Sequence, residues 1–130
     1  MTTTEDYVSF EVAKLLKEKG FDGYCLQIYD GDGDLSRNIC GYVNEEKANE
    51  FFSALAPTHQ MAMKWLREVH KIVIVIDAYH ADHWEGYIDC FEISIYSHAS
   101  TMIVPNEIAH HTEYTEAVEA ALKYVLENLI

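Results

Sequence analysis

Lysine and arginine are scarce in this sequence: 9 basic residues stand against 22 acidic ones, which leaves a net charge of −13. The imbalance is largest in residues 80–130, where nine acidic residues accompany a single base. An acidic surface repels phosphate, so direct binding to nucleic acid is not expected. The same charge keeps a small protein soluble, which is its simplest consequence.

Long apolar runs and paired cysteines are also missing. No stretch approaches the roughly 18 apolar residues of a membrane span, and the first residues lack the basic and apolar segments of a secretion signal. The three cysteines, Cys25, Cys40 and Cys90, form no Cys-x-x-Cys motif, which predicts a reduced, cytoplasmic protein. With 49% hydrophobic residues and 2 prolines, we expect one folded domain over residues 1–130.

The clearest pattern that is present is the run from Lys71 to Asp77. Its five central residues are all β-branched and apolar, which predicts a strand buried on both faces. We expect this strand to end near Tyr79, to turn at residues 80–83 and to return as a second strand from about Gly86 to Tyr96. In the returning strand, one face is apolar and carries Phe91, Ile93 and Ile95.

Three helices are predicted from apolar stripes and end signals. The first runs from about Phe10 to Lys19, with Ser9 as its N-cap and Gly20 as its stop. The second begins after the N-cap Thr58, ends at His70 and passes almost without a loop into the strand. The third runs from about Glu113 to Asn128 and has an alanine-rich apolar face.

A first hairpin is predicted from strands at residues 24–30 and 35–43, joined by the glycine-containing turn at residues 31–34. Residues 44–56 are interpreted as a connector, and residues 97–112 as a long irregular segment that is either functional or packed. The resulting order is αββαββα. We expect an α+β domain in which two hairpins form one mainly antiparallel four-stranded sheet, packed with three helices like a sandwich. Whether the two αββ halves are a true repeat is left open.

Three groups of side chains could bind a metal, and all three signals are weak. One is His110 and His111 with Glu107 and Glu113, which could form a surface metal contact. His80, Asp82 and His83 share the predicted turn and could hold zinc with a histidine from the long segment, although a solvated turn explains them more simply. The acids at Asp30–Asp34 alternate as in a calcium-binding loop. Leu35 stands where that loop requires glycine, so a polar hairpin turn is expected instead.

No residues are predicted to be catalytic or to bind a cofactor. The sequence has no Gly-x-Ser-x-Gly motif, and Gly31 and Gly33 precede a strand rather than the helix that a phosphate-binding loop requires. His59 and His70 flank the second helix and are interpreted as structural residues. We therefore expect a protein that is not an enzyme.

Three segments, Tyr7–Phe21, Pro57–His70 and Glu116–Ile130, resemble a group of small uncharacterised prophage- and mobile-element-type proteins of gut anaerobes. The chain is also similar to the phage ABA sandwich domain, in which a sheet lies between helices. The resemblance implies a compact cytoplasmic accessory protein of phage origin, and it carries over no functional residue.

The leading hypothesis is a small acidic accessory module that binds an unknown protein partner without catalysis, with a homodimer left open. One alternative is a DNA mimic, an acidic decoy that occupies a nucleic-acid-binding protein. The other alternative is a metal-dependent enzyme that uses the His80 and His83 turn.

Overall fold

The computed structural model describes residues 6–23, 25–37, 54–83, 86–97, 100–102 and 104–130, with residues 36–37, 79–83, 86–89 and 100 described by their backbone only. Its helices are α1 (Phe10–Glu18), α2 (His59–Val69), α3 (Asn106–Ala109) and α4 (Tyr114–Asn128). Its strands are β1 (Gln27–Tyr29), β2 (Leu35–Arg37), β3 (Ala54–Leu55), β4 (Ile72–His83), β5 (Gly86–Ser97), β6 (Ser100–Met102) and β7 (His110–His111).

The predicted α+β class, with a mainly antiparallel four-stranded sheet, is confirmed. The membership of that sheet differs from the prediction. Strands β4, β5 and β6 follow one another in it, and β7 pairs with β5 as well. The first hairpin, β1 and β2, forms a separate three-stranded sheet with β3 instead of joining the second hairpin.

Both predicted N-caps are confirmed. The Ser9 hydroxyl accepts a hydrogen bond from Val12 N at 3.2 Å, and the Thr58 hydroxyl accepts one from Met61 N at 3.2 Å. Each residue is in the extended conformation that a cap requires and supplies an acceptor to a free amide of the first turn. Gly20 follows α1 with a φ of 88°, the left-handed conformation in which glycine stops a helix without strain.

Strand β4 begins where it was predicted, but the expectation that both of its faces are buried is wrong. Ile72 is 3% exposed and faces the helices, whereas Val73 is 36% exposed and faces the other way. Helices α2 and α4 contact β4, and the inward residues of β5, Ile93 and Ile95, lie in the same core. The outer face of the β4–β5 hairpin keeps Val73 and Tyr96 exposed, so five apolar residues in a row did not require a cover on both sides.

The junction between α2 and β4 consists of one residue beyond the helix cap at His70. Lys71 has a φ of 59°, unusual for a residue with a Cβ, and its Nζ donates to the carbonyl of Glu68 at 2.8 Å. The predicted direct passage from helix to strand is confirmed. Val69 is apolar but 58% exposed, because the buried row of α2 follows His59, Ala62, Met63 and Leu66.

Helix α4 supplies much of the core. Six of its residues are buried, namely Ala117, Val118, Ala121, Leu122, Val125 and Leu126. The two alanines allow the helix to approach its neighbours closely, and α4 contacts α1, α2, α3 and the sheet. On the surface, Lys123 Nζ lies 2.9 Å from Glu11 Oε1 and links α4 to α1.

The turn at residues 31–34 is a polar hairpin turn, as expected. Asp30 Oδ1 accepts hydrogen bonds from Asp32 N at 2.9 Å and Asp34 N at 3.0 Å, and Gly33 has a φ of 85°. Just before β1, Cys25 is buried, with 1% of its surface exposed, whereas Leu26 is 43% exposed. The remainder of the predicted second strand and most of the connector, residues 38–53, lie outside the described residues.

Two expectations on the second half of the chain are corrected. Residues 80–83 were predicted as a turn, but β4 continues through His83, which lies opposite Gly86 in the antiparallel pair. The segment 97–112 was predicted to be irregular, but it contains β6, α3 and β7. Met102 and Val104 pack against the core, so this segment is packed.

Candidate functional site

A buried histidine and a partly buried carboxylate meet where three elements converge. His59 Nε2 of α2 lies 2.8 Å from Glu119 Oε1 of α4, and the two side chains are 6% and 27% exposed. An ionised carboxylate only accepts hydrogen bonds, so Nε2 carries the hydrogen in this contact. The other ring nitrogen of His59, Nδ1, is buried and has no hydrogen-bond partner among the described residues.

The segment before α1 completes the cluster. Ser9 N donates to Glu119 Oε1 at 2.8 Å, and Ser9 Oγ donates to Glu119 Oε2 at 2.8 Å. This segment is itself fixed to the start of α2, because His59 N donates to Asp6 O at 2.8 Å and Val8 N donates to Pro57 O at 3.0 Å. The N-cap chemistry of two helices therefore places Ser9 and His59 on the same carboxylate.

The hydrogen bonds determine the charge state of Glu119. Burial favours the neutral acid, but the bonds from His59 and Ser9 outweigh it and lower the pKa of the carboxyl below its ordinary value of 4.5. The pKa of the nearby Tyr29 phenol is raised by burial and by the negative charge of Glu119. The Tyr29 hydroxyl donates a hydrogen bond to the carbonyl of Val8 and so helps to hold the segment that precedes α1. Glu119 is thus a fixed anion at neutral pH.

An open cleft of about 610 Å³ lies beside this cluster. Asp6 and Glu116 add two further carboxylates to its wall, and none of its eight lining residues is lysine or arginine. His111 of β7 reaches the cleft as well, with Nε2 bonded to Ile108 O at 2.7 Å. The lining residues are Asp6, Tyr7, Ser9, His59, His111, Thr115, Glu116 and Glu119.

Serine, histidine and glutamate occur together here, but not in the order that activates a nucleophile. In such a site the hydroxyl donates to the imidazole, and the acid orients the imidazole. Ser9 Oγ instead donates to Glu119 and accepts from Val12 N, while Glu119 stands between serine and histidine. The arrangement fixes a carboxylate at the cleft wall and suits the binding of a positively charged group.

The metal candidates of the predicted turn are not brought to this cleft by any described contact. His80, Asp82 and His83 lie within β4, and their backbones pair with Asp89, Tyr87 and Gly86. Their side chains lie outside the described part of the structure, so a metal site there stays a prediction. Among the side chains that the structure describes, no group of three or more His, Cys, Asp or Glu is placed to hold a metal ion.

Sequence reasoning missed the site because its main contact joins residues far apart. His59 was interpreted as structural and Glu119 was not singled out, and the two are separated by 60 positions. One local signal was available. Ser9 and Thr58 were both recognised as N-caps. His59 directly follows Thr58 and is the first residue of α2, at the amino-terminal end of the helix, where the helix dipole favours an anion.

The outer face of the β4–β5 hairpin is a second exposed feature. The register places Val73 opposite Tyr96 and Asp77 opposite Glu92 on this face. Val73 is 36% and Tyr96 is 41% exposed, and both acids are exposed. The two opposed acids repel one another, which weakens the pairing slightly and favours a positive charge nearby.

Comparisons with protein-family models, with curated proteins and with solved structures found no match to this chain. The resemblance to prophage-type proteins and to the ABA sandwich domain therefore stays a prediction. None of the helices that the structure describes combines the length and the apolar character needed to cross a membrane.

Proposed function

We propose that this protein is a binding module that recognises a basic side chain of a partner protein in the cleft beside Glu119. One observation carries the proposal. The carboxylate of Glu119 is fixed by donors from Ser9 and His59 at the wall of a cleft that also holds Asp6 and Glu116. A preorganised anion binds a cation with less loss of side-chain freedom than a mobile surface acid.

The chemistry of the lining favours an organic cation. A guanidinium or ammonium group donates several hydrogen bonds, and the lining supplies three carboxylates that can accept them. The described side chains of the cleft include no metal-binding group of three. The chain's net charge of −13 would also attract a basic partner from a distance and speed its association.

Titration of the full-length, isotope-labelled protein with N-acetyl-arginine amide, followed by amide NMR, tests the proposal. We expect shifts at Ser9, Thr115 and Glu116, and little change elsewhere. The Glu116→Lys variant places a positive charge in the cleft and should abolish these shifts. Glu127→Lys makes the same charge change at an exposed position of α4 outside the lining, so it should bind as the parent does.

The result that would refute the proposal is equally specific. Shifts spread over the acidic surface, or an equal loss in both lysine variants, would show that only the general charge attracts the ligand. A partner captured from cell extract by the parent protein and by Glu127→Lys, but not by Glu116→Lys, would identify the protein that the module binds. A DNA mimic instead predicts capture of a nucleic-acid-binding protein that double-stranded DNA displaces.

A further inference from the structure

On the basis of the proposed function, we infer that the partner segment carries an apolar side chain one or two residues away from its basic one. The apolar side chain enters a second cavity beside the cleft. This cavity has a volume of about 290 Å³, close to the smallest pockets that bind ligands, so it suits a single side chain. Its lining residues are Tyr7, Cys25, Leu26, Ala56, Pro57, Thr58, Gln60 and Met61.

The second cavity adjoins the cleft. Tyr7 lines both, and Thr58 and His59, which follow one another in the chain, line one each. Tyr7 also pairs with Thr58 in an antiparallel bridge, which holds the shared wall in place. Consecutive Cα atoms are about 3.8 Å apart, and an extended segment advances about 3.3 Å per residue. A segment with its basic side chain in the cleft therefore brings its next residues within reach of the second cavity.

The wall of the second cavity is apolar where it meets solvent. Leu26 is 43% exposed, although it stands next to the buried Cys25. Met61 Sδ lies 4.0 Å from Cys25 Sγ, and a thioether side chain adapts to groups of different shape. An apolar side chain placed here removes this surface from water, which is favourable in proportion to the area covered.

The contrast in charge between the two cavities indicates which partner fits both. Three carboxylates line the cleft, namely Asp6, Glu116 and Glu119, whereas none of the described residues that line the second cavity is charged. A second basic group would lose hydration in that cavity without gaining an ionic partner. The partner segment therefore combines one basic and one apolar side chain, rather than a run of basic residues.

Short peptides test the inference on the full-length protein. The reference is acetyl-Ala-Ala-Arg-Ala-Ala-amide, and four further peptides each carry leucine at one of the alanine positions, so that either chain direction and both spacings are covered. We expect leucine at one position to tighten binding about tenfold, measured by NMR titration. The same peptide should add amide shifts at Leu26 and Gln60 to those of the cleft residues.

Two matched variants show where the leucine binds. Leu26→Asp places a charge in the wall of the second cavity and should reduce the gain from leucine to about twofold or less. Leu35→Asp is the control, because Leu35 is 44% exposed and lines neither cavity, and the substitution changes the net charge equally. It should keep the full gain. Each gain compares two peptides on one variant, so the effect of the added charge on arginine cancels.

The inference is overturned if no leucine position improves binding to the parent protein by more than about twofold, or if the gain persists in Leu26→Asp. The first of these measurements needs no variant, and circular dichroism confirms that both variants are folded. A reference peptide that binds in the cleft while leucine adds nothing refutes the second cavity alone. A reference peptide that leaves the cleft residues unshifted refutes the proposed function as well.

Discussion

Ser9 and Glu119, which are 110 positions apart, are joined by two hydrogen bonds of 2.8 Å, one from the backbone nitrogen and one from the hydroxyl of the serine. The same hydroxyl also caps α1 by accepting from Val12 N. The Ser9 side chain therefore caps the amino-terminal end of α1 and also holds the Glu119 carboxylate at the wall of the cleft. Removing the Ser9 hydroxyl should therefore lower the stability of α1 and loosen the position of the Glu119 side chain.

We predict that Ser9→Ala destabilises the protein more than Thr58→Ala. Each substitution removes a helix cap, which costs about 1 kcal/mol. Ser9→Ala also removes a hydrogen bond to an ionised carboxylate, which adds about 1.5 kcal/mol. Urea unfolding measures both variants. Equal losses would show that the bond from Ser9 Oγ to Glu119 contributes no stability.

Replacing Glu119 by glutamine should lower the free energy of unfolding by about 2 kcal/mol. The amide cannot satisfy the His59 and Ser9 donors as the carboxylate does, and it turns a donor toward them. Glu116→Gln is the control, because Glu116 lines the same cleft from an exposed position of α4. It should change stability by less than about 0.5 kcal/mol.

Stability should fall in acid partly through Glu119. Its pKa is lower in the folded protein than the ordinary 4.5, because the bonds from His59 and Ser9 outweigh the effect of burial. Its contribution is therefore complete above pH 4.5 and is lost as the pH falls through the lowered pKa. The difference in unfolding free energy between the parent protein and Glu119→Gln should shrink over that range. A difference that stays constant would contradict the lowered pKa.

Cys25 should resist alkylation in the folded protein. Burial raises the pKa of its thiol to about 12, so almost none of the reactive thiolate is present at neutral pH. Cys90 is less buried and should react faster. Mass spectrometry after timed exposure to iodoacetamide measures both rates, with urea-unfolded protein as the reference. Equal rates at the two cysteines in the folded protein would refute this prediction.

Two glycines with similar backbones should respond differently to alanine. Gly20 and Gly33 have φ values of 88° and 85°, so alanine is strained at either position by about 1 kcal/mol. A Cβ at Gly20 would meet nothing within 4 Å, whereas a Cβ at Gly33 would lie 2.9 Å from the ring of Phe10. Gly33→Ala should therefore lower the melting temperature further than Gly20→Ala, and the reverse order would contradict the packing of Phe10 on this turn.

The parts of the fold that the sequence predicted are those governed by local rules. Cap chemistry located the starts of α1 and α2, and alternation identified Ile93 and Ile95 as the buried face of β5. The face of β4 was predicted incorrectly because apolar runs carry no information about which side the helices cover. Val73 shows this, since it is apolar and β-branched and is still 36% exposed.

The site depended on information that the sequence does not carry locally. His59 and Glu119 meet because α2 and α4 pack against one another, and no periodicity relates a residue of one helix to a residue of the other. The separation of the two hairpins into different sheets has the same origin. Strand pairing between distant segments is decided by tertiary packing, and β1 pairs with β2 and β3 rather than with a strand of the second hairpin.

Only one residue lies between the cap of α2 and the first residue of β4, so this connection has no spare length. Lys71 turns the backbone with a φ of 59°, and an added residue would shift Ile72 and Ile74 from the core to the solvent side. Insertions and new chain ends introduced at this position should therefore not be tolerated. Any circular permutation or fusion of this protein has to leave the helix-to-strand connection at Lys71 unchanged.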